Sequence, residues 1–158
     1  MTTRRPPVAL IGGGTIGLGW AVVLTTAGHE VRLVEPDASR RATLREAHRE
    51  RVALLARHGL ATVTADDAAA RLVLADDLAP ALDHAGIVLE CAPEDFALKR
   101  ALFAELDAAA AADVVLASAC SALTASRIAD QLPGRALPRL SPAAAKRRRP
   151  GPRRRACP

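Results

Sequence analysis

Aromatic residues are nearly absent from this chain: two Phe, one Trp and no Tyr make up 2% of 158 residues whose hydrophobic share is 50%. The core must then be built from Ala, Val, Leu and Ile, which suits buried parallel strands covered by helices and points to the α/β class. Cysteine is also scarce. Cys91, Cys120 and Cys157 form an odd set without CxxC spacing, so neither a disulfide framework nor a metal site is indicated. The first residues lack the apolar stretch of a secretory signal, and a reduced cytoplasm is the expected compartment. No apolar run approaches the roughly 20 residues that span a bilayer, since each is short and bounded by charge or glycine, so no membrane partner is expected. The length fits one globular unit with a real core.

Acidic residues are missing from one region only. Residues 136–158 hold seven Arg, one Lys and no acid, so the formal charge of +5 misleads about the body of the chain. The first 135 residues keep 14 of the 22 bases against all 17 acids and are mildly acidic. The final stretch is low in complexity, rich in Ala, Arg and Pro, and is expected to be a disordered basic tail. Its arginine runs lack interleaved aromatics and a folded basic face, so nucleic-acid binding through the tail is a minor alternative, marked by strong salt dependence.

The rest alternates strand and helix. Residues 7–11 are a short apolar run ending in Gly12-Gly13-Gly14, and 15–27 are an apolar helix-length segment stopped by Gly28. A second strand over 30–34 ends at Glu35, and Asp37 is placed to cap a long amphipathic helix reaching about Arg57, with Gly59 as its stop. Three more buried strands are expected at 71–74, 86–89 and 113–117, separated by Ala- and Leu-rich helical stretches. The helix over about 94–110 spaces Phe96, Lys99, Phe103 and Leu106 helically, and its Phe and Leu side chains are expected in the core. Right-handed crossovers then give a doubly wound parallel sheet.

Gly12-Gly13-Gly14-Thr15-Ile16-Gly17 matches G-x-G-x-x-G in its proper context, after a strand and opening a helix. Gly12 permits the turn, Gly14 lets the backbone approach a pyrophosphate, and Gly17 lets helix and strand pack closely. Exposed N–H groups and the helix dipole favour that anion without a basic side chain. Glu35 would accept hydrogen bonds from the adenosine ribose and repel a 2′-phosphate, which favours NAD over NADP, although Arg40 and Arg41 stand close in sequence. The same opening also serves FAD-binding oxidoreductases, so these 35 residues leave the cofactor open.

The segment 8–17, followed by Gly19-Trp20-Ala21, resembles the opening of the 3-hydroxyacyl-CoA dehydrogenase family, in particular its lambda-crystallin, gulonate dehydrogenase and carnitine dehydrogenase branch. Two later segments agree: Ile87-Val88-Leu89-Glu90-Cys91-Ala92-Pro93-Glu94-Asp95, leading to Leu98-Lys99, and Leu116-Ala117-Ser118-Ala119-Cys120-Ser121-Ala122-Leu123. The resemblance covers residues 6–135 and implies a Rossmann-type NAD-binding domain. It implies oxidation of a secondary 3-hydroxyl of an acyl-CoA or small hydroxy acid to a ketone. It also implies that Glu94, Lys99 and Ser121 lie along the nicotinamide half of NAD, Ser121 with a supporting catalytic role. On residue chemistry alone, Glu94 and Lys99 also read as a surface pair, and Ser121 as a turn or cap for a helix starting near Thr124.

The family has Asn-Thr or Ser-Thr where this chain has Ala119-Cys120. Cys120 has no base placed beside it by the sequence and reads as a small buried residue. His29, His48, His58 and His84 lie in turns or on helix faces, match no catalytic position and show no metal-ligand spacing. In the family a further strand ends in the histidine that serves as general base, and a helical domain follows with substrate contacts and the dimer interface. Here Ala136-Leu137-Pro138-Arg139-Leu140 stands instead, so the expected fold lacks its last strand and helical domain. One permitted codon choice for 136–140, shifted by one base, spells Arg-Cys-Leu-Val, consistent with a reading-frame product. The chain alone is then expected to be inactive, and a non-enzymatic NAD-binding module is the alternative function.

Overall fold

The computed structural model describes residues 5–121 and 127–128. Five four-residue strands form one parallel sheet: β1 (Val8–Ile11), β2 (Val31–Val34), β3 (Leu72–Ala75), β4 (Ile87–Glu90) and β5 (Val115–Ser118). Their order across the sheet is β3-β2-β1-β4-β5. The chain therefore winds outward from β1 in one direction, returns, and winds outward in the other. Helices α1 (Thr15–Thr26), α2 (Ala38–Arg57), α3 (Ala65–Ala69), α4 (Leu78–Leu82) and α5 (Phe96–Ala109) fill the crossovers. This is the doubly wound α/β architecture expected from the alternation.

The period of two along β1 explains the two helical layers. Ala9 and Ile11 join Leu78, Leu82, Phe103, Leu106 and Leu116 on one face, beneath α4 and α5. Val8 and Leu10 join Leu18, Ala21, Leu33, Leu44 and Leu72 on the other, beneath α1 and α2. Both faces of every central strand are covered, which is why the strands read as unbroken apolar runs. Burial of Phe103, the aromatic side chain of the core, contributes about 1.5–3 kcal/mol, so few aromatics suffice where many aliphatics interlock.

The helix stops act as the sequence indicates. Gly28 and Gly59 follow α1 and α2 with φ of +88° and +71°, in the left-handed region where a side chain is strained. The Asp37 carboxylate accepts the Arg40 N–H at 2.9 Å and starts α2. Several boundaries differ from expectation. The third, fourth and fifth strands end one residue later than their apolar runs, which puts Glu90 and Ser118 inside the sheet. The last helix begins at Phe96 because the Asp95 carboxylate, not Glu94, takes the capping N–H of Leu98 at 2.8 Å. Phe96 is only half-buried and is not core: the guanidinium groups of Arg100 and Arg127 stand 5.3 and 5.0 Å from its ring centroid.

Between α1 and α2 lies a polar contact the sequence did not announce. Thr25 and His48 are fully buried, and Thr25 Oγ1 lies 2.8 Å from His48 Nε2. The Thr25 hydroxyl donates to Ala21 O at 2.8 Å, so the imidazole Nε2–H donates to the hydroxyl oxygen. His48 Nδ1 has no hydrogen-bond partner among the described residues. Burial holds the His48 pKa below its ordinary value, and nearby Arg45 acts in the same direction. The expected disorder of residues 136–158 falls outside the described residues.

Candidate functional site

The strand order reverses between β1 and β4, and beyond the carboxyl ends of these strands the crossovers part to leave a crevice. A cleft of about 790 Å³ opens there, running from Glu35 and Arg40 at one end, past Gly12, Gly14 and Thr15, to Glu94 and Ser121 at the other. Backbone hydrogen bonds continue the sheet into its floor: Cys91 N–H donates to Ile11 O and Ala119 N–H to Glu90 O, both at 2.8 Å.

The glycine turn is shaped by close approach. Gly12 has φ of +107°, and an added Cβ would sit 3.0 Å from the Cys91 carbonyl carbon. An added Cβ on Gly17 would lie 1.9 Å from Gly12 O, so α1 meets β1 at a distance only glycine allows. At Gly14 an added Cβ would meet nothing within 4 Å. Gly14 caps α1 without any side-chain hydrogen bond, and no acid occupies the first helical turn. The N-terminal N–H groups of α1 and their partial positive charge are thus offered to the cleft, with open space at the backbone above them. That arrangement fits a dinucleotide pyrophosphate.

Glu35 is buried and fixed. Its Oε2 accepts the Gly13 N–H at 3.0 Å and its Oε1 accepts the Asp37 N–H at 3.1 Å. The carboxylate thereby locks the glycine turn to the end of β2. Arg40 Nη1 stands 3.5 Å from Oε2.

At the opposite end the geometry departs from the simple Glu94–Lys99 surface pair. Lys99 is buried, and its Nζ donates to Glu90 Oε1 at 2.6 Å and to Ala92 O at 3.0 Å. Ala92 N–H also donates to Glu90 Oε1 at 2.6 Å, and Ser118 Oγ–H to Glu90 Oε2 at 2.5 Å. Ser118 Oγ in turn accepts the Cys120 N–H at 3.2 Å. One buried carboxylate therefore ties the end of β4, the loop after β5 and the first turn of α5 together. Glu94 instead faces the β5 loop: its Oε1 accepts both the N–H and the Oγ–H of Ser121 at 3.3 Å, and the Cys120 thiol at 3.4 Å. Any role for Ser121 as a cap for a helix near Thr124 falls outside the described residues.

Glu90 and Ser118 were not singled out by sequence. The available signal was an acid closing an otherwise apolar strand, the same feature that marks Glu35. Cys91 also lines the cleft; burial first, and then the Glu90 carboxylate, push its thiol up to about 12. Among the described residues no histidine lines the cleft, and no cluster of His, Cys, Asp and Glu could hold a metal. No helix among them is long and apolar enough to cross a membrane.

A glycine turn at a helix N-terminus, a carboxylate closing the second strand and a cleft at the strand-order reversal define a Rossmann-type dinucleotide-binding domain. Residues 7–137 match the 3-hydroxyacyl-CoA dehydrogenase NAD-binding domain, and the chain belongs to that family. It is similar to L-carnitine dehydrogenase of Streptomyces coelicolor, at 40% identity over 114 residues, covering 72% of this chain and 35% of that protein. It is also similar to the lambda-crystallin homolog of Bos taurus, at 32% identity over 123 residues, covering 77% of this chain and 38% of that protein. The crystal structure of 3-hydroxybutyryl-CoA dehydrogenase from Escherichia coli superposes with a TM-score of 0.73 and 30% identity over 80% of this chain and 27% of that one. The chain thus spans little more than a third of the curated relatives it matches.

Proposed function

We infer that this chain supplies the cofactor half of an NAD-dependent dehydrogenase that oxidises a secondary 3-hydroxyl, in an acyl-CoA or small hydroxy acid, to a ketone. The observation that carries the reading is the continuous cleft joining Glu35 to Ser121 across the β1/β4 reversal. In this reading Gly12 to Gly17 and the N-terminus of α1 seat the pyrophosphate. Glu35 accepts hydrogen bonds from the adenosine ribose, and its charge disfavours a 2′-phosphate. Glu94, Lys99 and Ser121 bound the nicotinamide half. The Ser121 hydroxyl, held by Glu94, is positioned to turn toward a substrate oxygen. Bound NAD supplies the hydride acceptor.

Lys99 contributes by organisation. Its cation is satisfied by Glu90 and Ala92, so it holds the loop over 91–94 in place. Buried groups arranged in advance need no reorganisation when ligand arrives.

A second reading, an NAD-binding module without turnover, is favoured by one observation: among the described residues no histidine reaches the cleft to take the hydroxyl proton. The two share the binding step. NAD at 100 times its Kd should stabilise the fold by about 2.7 kcal/mol, a rise in Tm of several degrees. Glu35→Ala should abolish that rise. Reduction of NAD by a panel of 3-hydroxyacyl-CoA and 3-hydroxy acid substrates, followed by nicotinamide absorbance in the chain completed with a helical domain of the family, separates the readings: turnover supports the first, and saturable NAD binding with no turnover even when complete supports the second.

A further inference from the structure

Two loops close the end of the cleft opposite Glu35, 91–94 after β4 and 119–121 after β5, and they are tied to each other twice. The outer tie lies at their tips, where the exposed Glu94 carboxylate accepts the N–H and Oγ–H of Ser121, itself exposed, at 3.3 Å. The inner tie lies at their roots. Glu90 and Ser118 are register partners across β4 and β5, and Ser118 Oγ–H donates to Glu90 Oε2 at 2.5 Å while the same hydroxyl oxygen accepts the Cys120 N–H at 3.2 Å. Glu90 is fully buried, and its Oε1 takes Ala92 N–H and Lys99 Nζ, both at 2.6 Å. From this one carboxylate a route runs through Ala92 to the first loop and another through Ser118 to the second.

We propose that Ser118 is a positioning residue: its hydroxyl, clamped on Glu90, holds the 119–121 loop in place while the outer tie at Ser121 is exchanged for contact with the ligand. This rests on placement of the nicotinamide half of NAD between Glu94 and Ser121. The two ties differ in how readily they open. The outer one joins exposed groups at long range, where water offers equivalent hydrogen bonds, so the Ser121 hydroxyl turns toward a ligand at little net cost. The inner one ends on a carboxylate shielded from water, and short charge-assisted bonds of that kind are strong. Ala119 N–H ends the backbone ladder on Glu90 O, and beyond that point the Cys120 amide is fixed by Ser118. Alanine at 118 removes donor and acceptor together, yet leaves Glu90 its contacts with Lys99 and Ala92, so the buried charge pair stays matched.

The test is calorimetric titration of NAD and ADP-ribose into the 158-residue chain and its Ser118→Ala variant. ADP-ribose is NAD without the nicotinamide ring, so it reads the adenosine and pyrophosphate contacts and shows that the variant is folded. In Ser118→Ala the affinity for NAD should fall by about two- to tenfold, the worth of one hydrogen bond, while the affinity for ADP-ribose stays unchanged. Equal losses for the two ligands mark a role in the fold alone, and that result, or an undiminished NAD affinity, overturns the positioning role. Hydrogen–deuterium exchange without ligand reads the clamp independently of any cofactor: the 119–121 amides should exchange faster in Ser118→Ala, with those of 12–17 unchanged. Equal exchange at 119–121 in the two chains overturns the clamp. Binding of NAD no tighter than that of ADP-ribose in the unchanged chain overturns the nicotinamide placement instead, and the role of Ser118 with it.

Discussion

Lys99 and Glu90 are nine residues apart in sequence, yet their charged atoms meet at 2.6 Å with both side chains almost completely buried. The pair sits where β4 ends and α5 begins, and Ser118 reaches the same carboxylate from β5. Burying two charges is costly, and such a pair persists only when its hydrogen-bonding capacity is met, as it is here by Ala92 and Ser118. Removing one partner strands the other charge. Glu90→Leu should therefore cost about 3–5 kcal/mol in denaturant-induced unfolding, and adding Lys99→Met should recover a large part of it. A double variant no more stable than the single would show that the pair is not acting as a unit.

Gly14 and Gly17 separate binding from folding. Alanine at Gly17 drives a methyl into Gly12 O and should destabilise the chain by about 1–3 kcal/mol or prevent folding. Alanine at Gly14 meets no neighbouring atom and has an ordinary extended backbone, so the unliganded Tm should stay within a few degrees while NAD affinity falls. Thermal melts with and without NAD read both effects. Equal loss of stability in the two variants would contradict the assignment.

His48 makes stability depend on pH. Its pKa is lowered in the fold by burial, so the unfolded chain takes up the proton first as pH drops below the ordinary histidine value of about 6.5. Its contribution is complete above that value and is lost progressively as pH falls toward the depressed folded value. The substitution His48→Gln should flatten the stability profile between about pH 7 and pH 5. An unchanged slope in the His48→Gln variant would assign the loss to other groups.

Cys91 lines the cleft but should be inert. With its thiol pushed up to about 12, roughly 10⁻⁴ of it is thiolate at about pH 8. Alkylation followed by peptide mass spectrometry should find Cys91 unmodified in the native chain and labelled after denaturation. Rapid native labelling would contradict the burial.

Much of this was legible from residue order. The glycines, Glu35, the Asp37 cap and the apolar runs act locally, each through a backbone requirement that shows in its immediate neighbours. The Lys99 partner was not legible, because Glu90 comes within reach only once β4 is seated between β1 and β5. Apolar patterning ended the strand at Leu89, since it cannot tell a surface acid from one that closes a buried strand. The Thr25–His48 contact was hidden for a related reason: it needs the packing of α1 against α2, and a histidine on an amphipathic helix carries no burial signal of its own. Phe96 was misplaced because helical spacing assigns a face without showing that arginines cover its rim.

The most direct measurement is hydrogen–deuterium exchange of the chain with and without NAD, resolved to short peptides. If the cofactor occupies the cleft at the β1/β4 reversal, protection should appear together in three regions: the glycine turn over 12–17, the end of β2 at 35–37, and the loops at 91–94 and 119–121 that close the other end. Protection confined to other surfaces, or saturable NAD binding that leaves the 12–17 amides unchanged, would contradict the site.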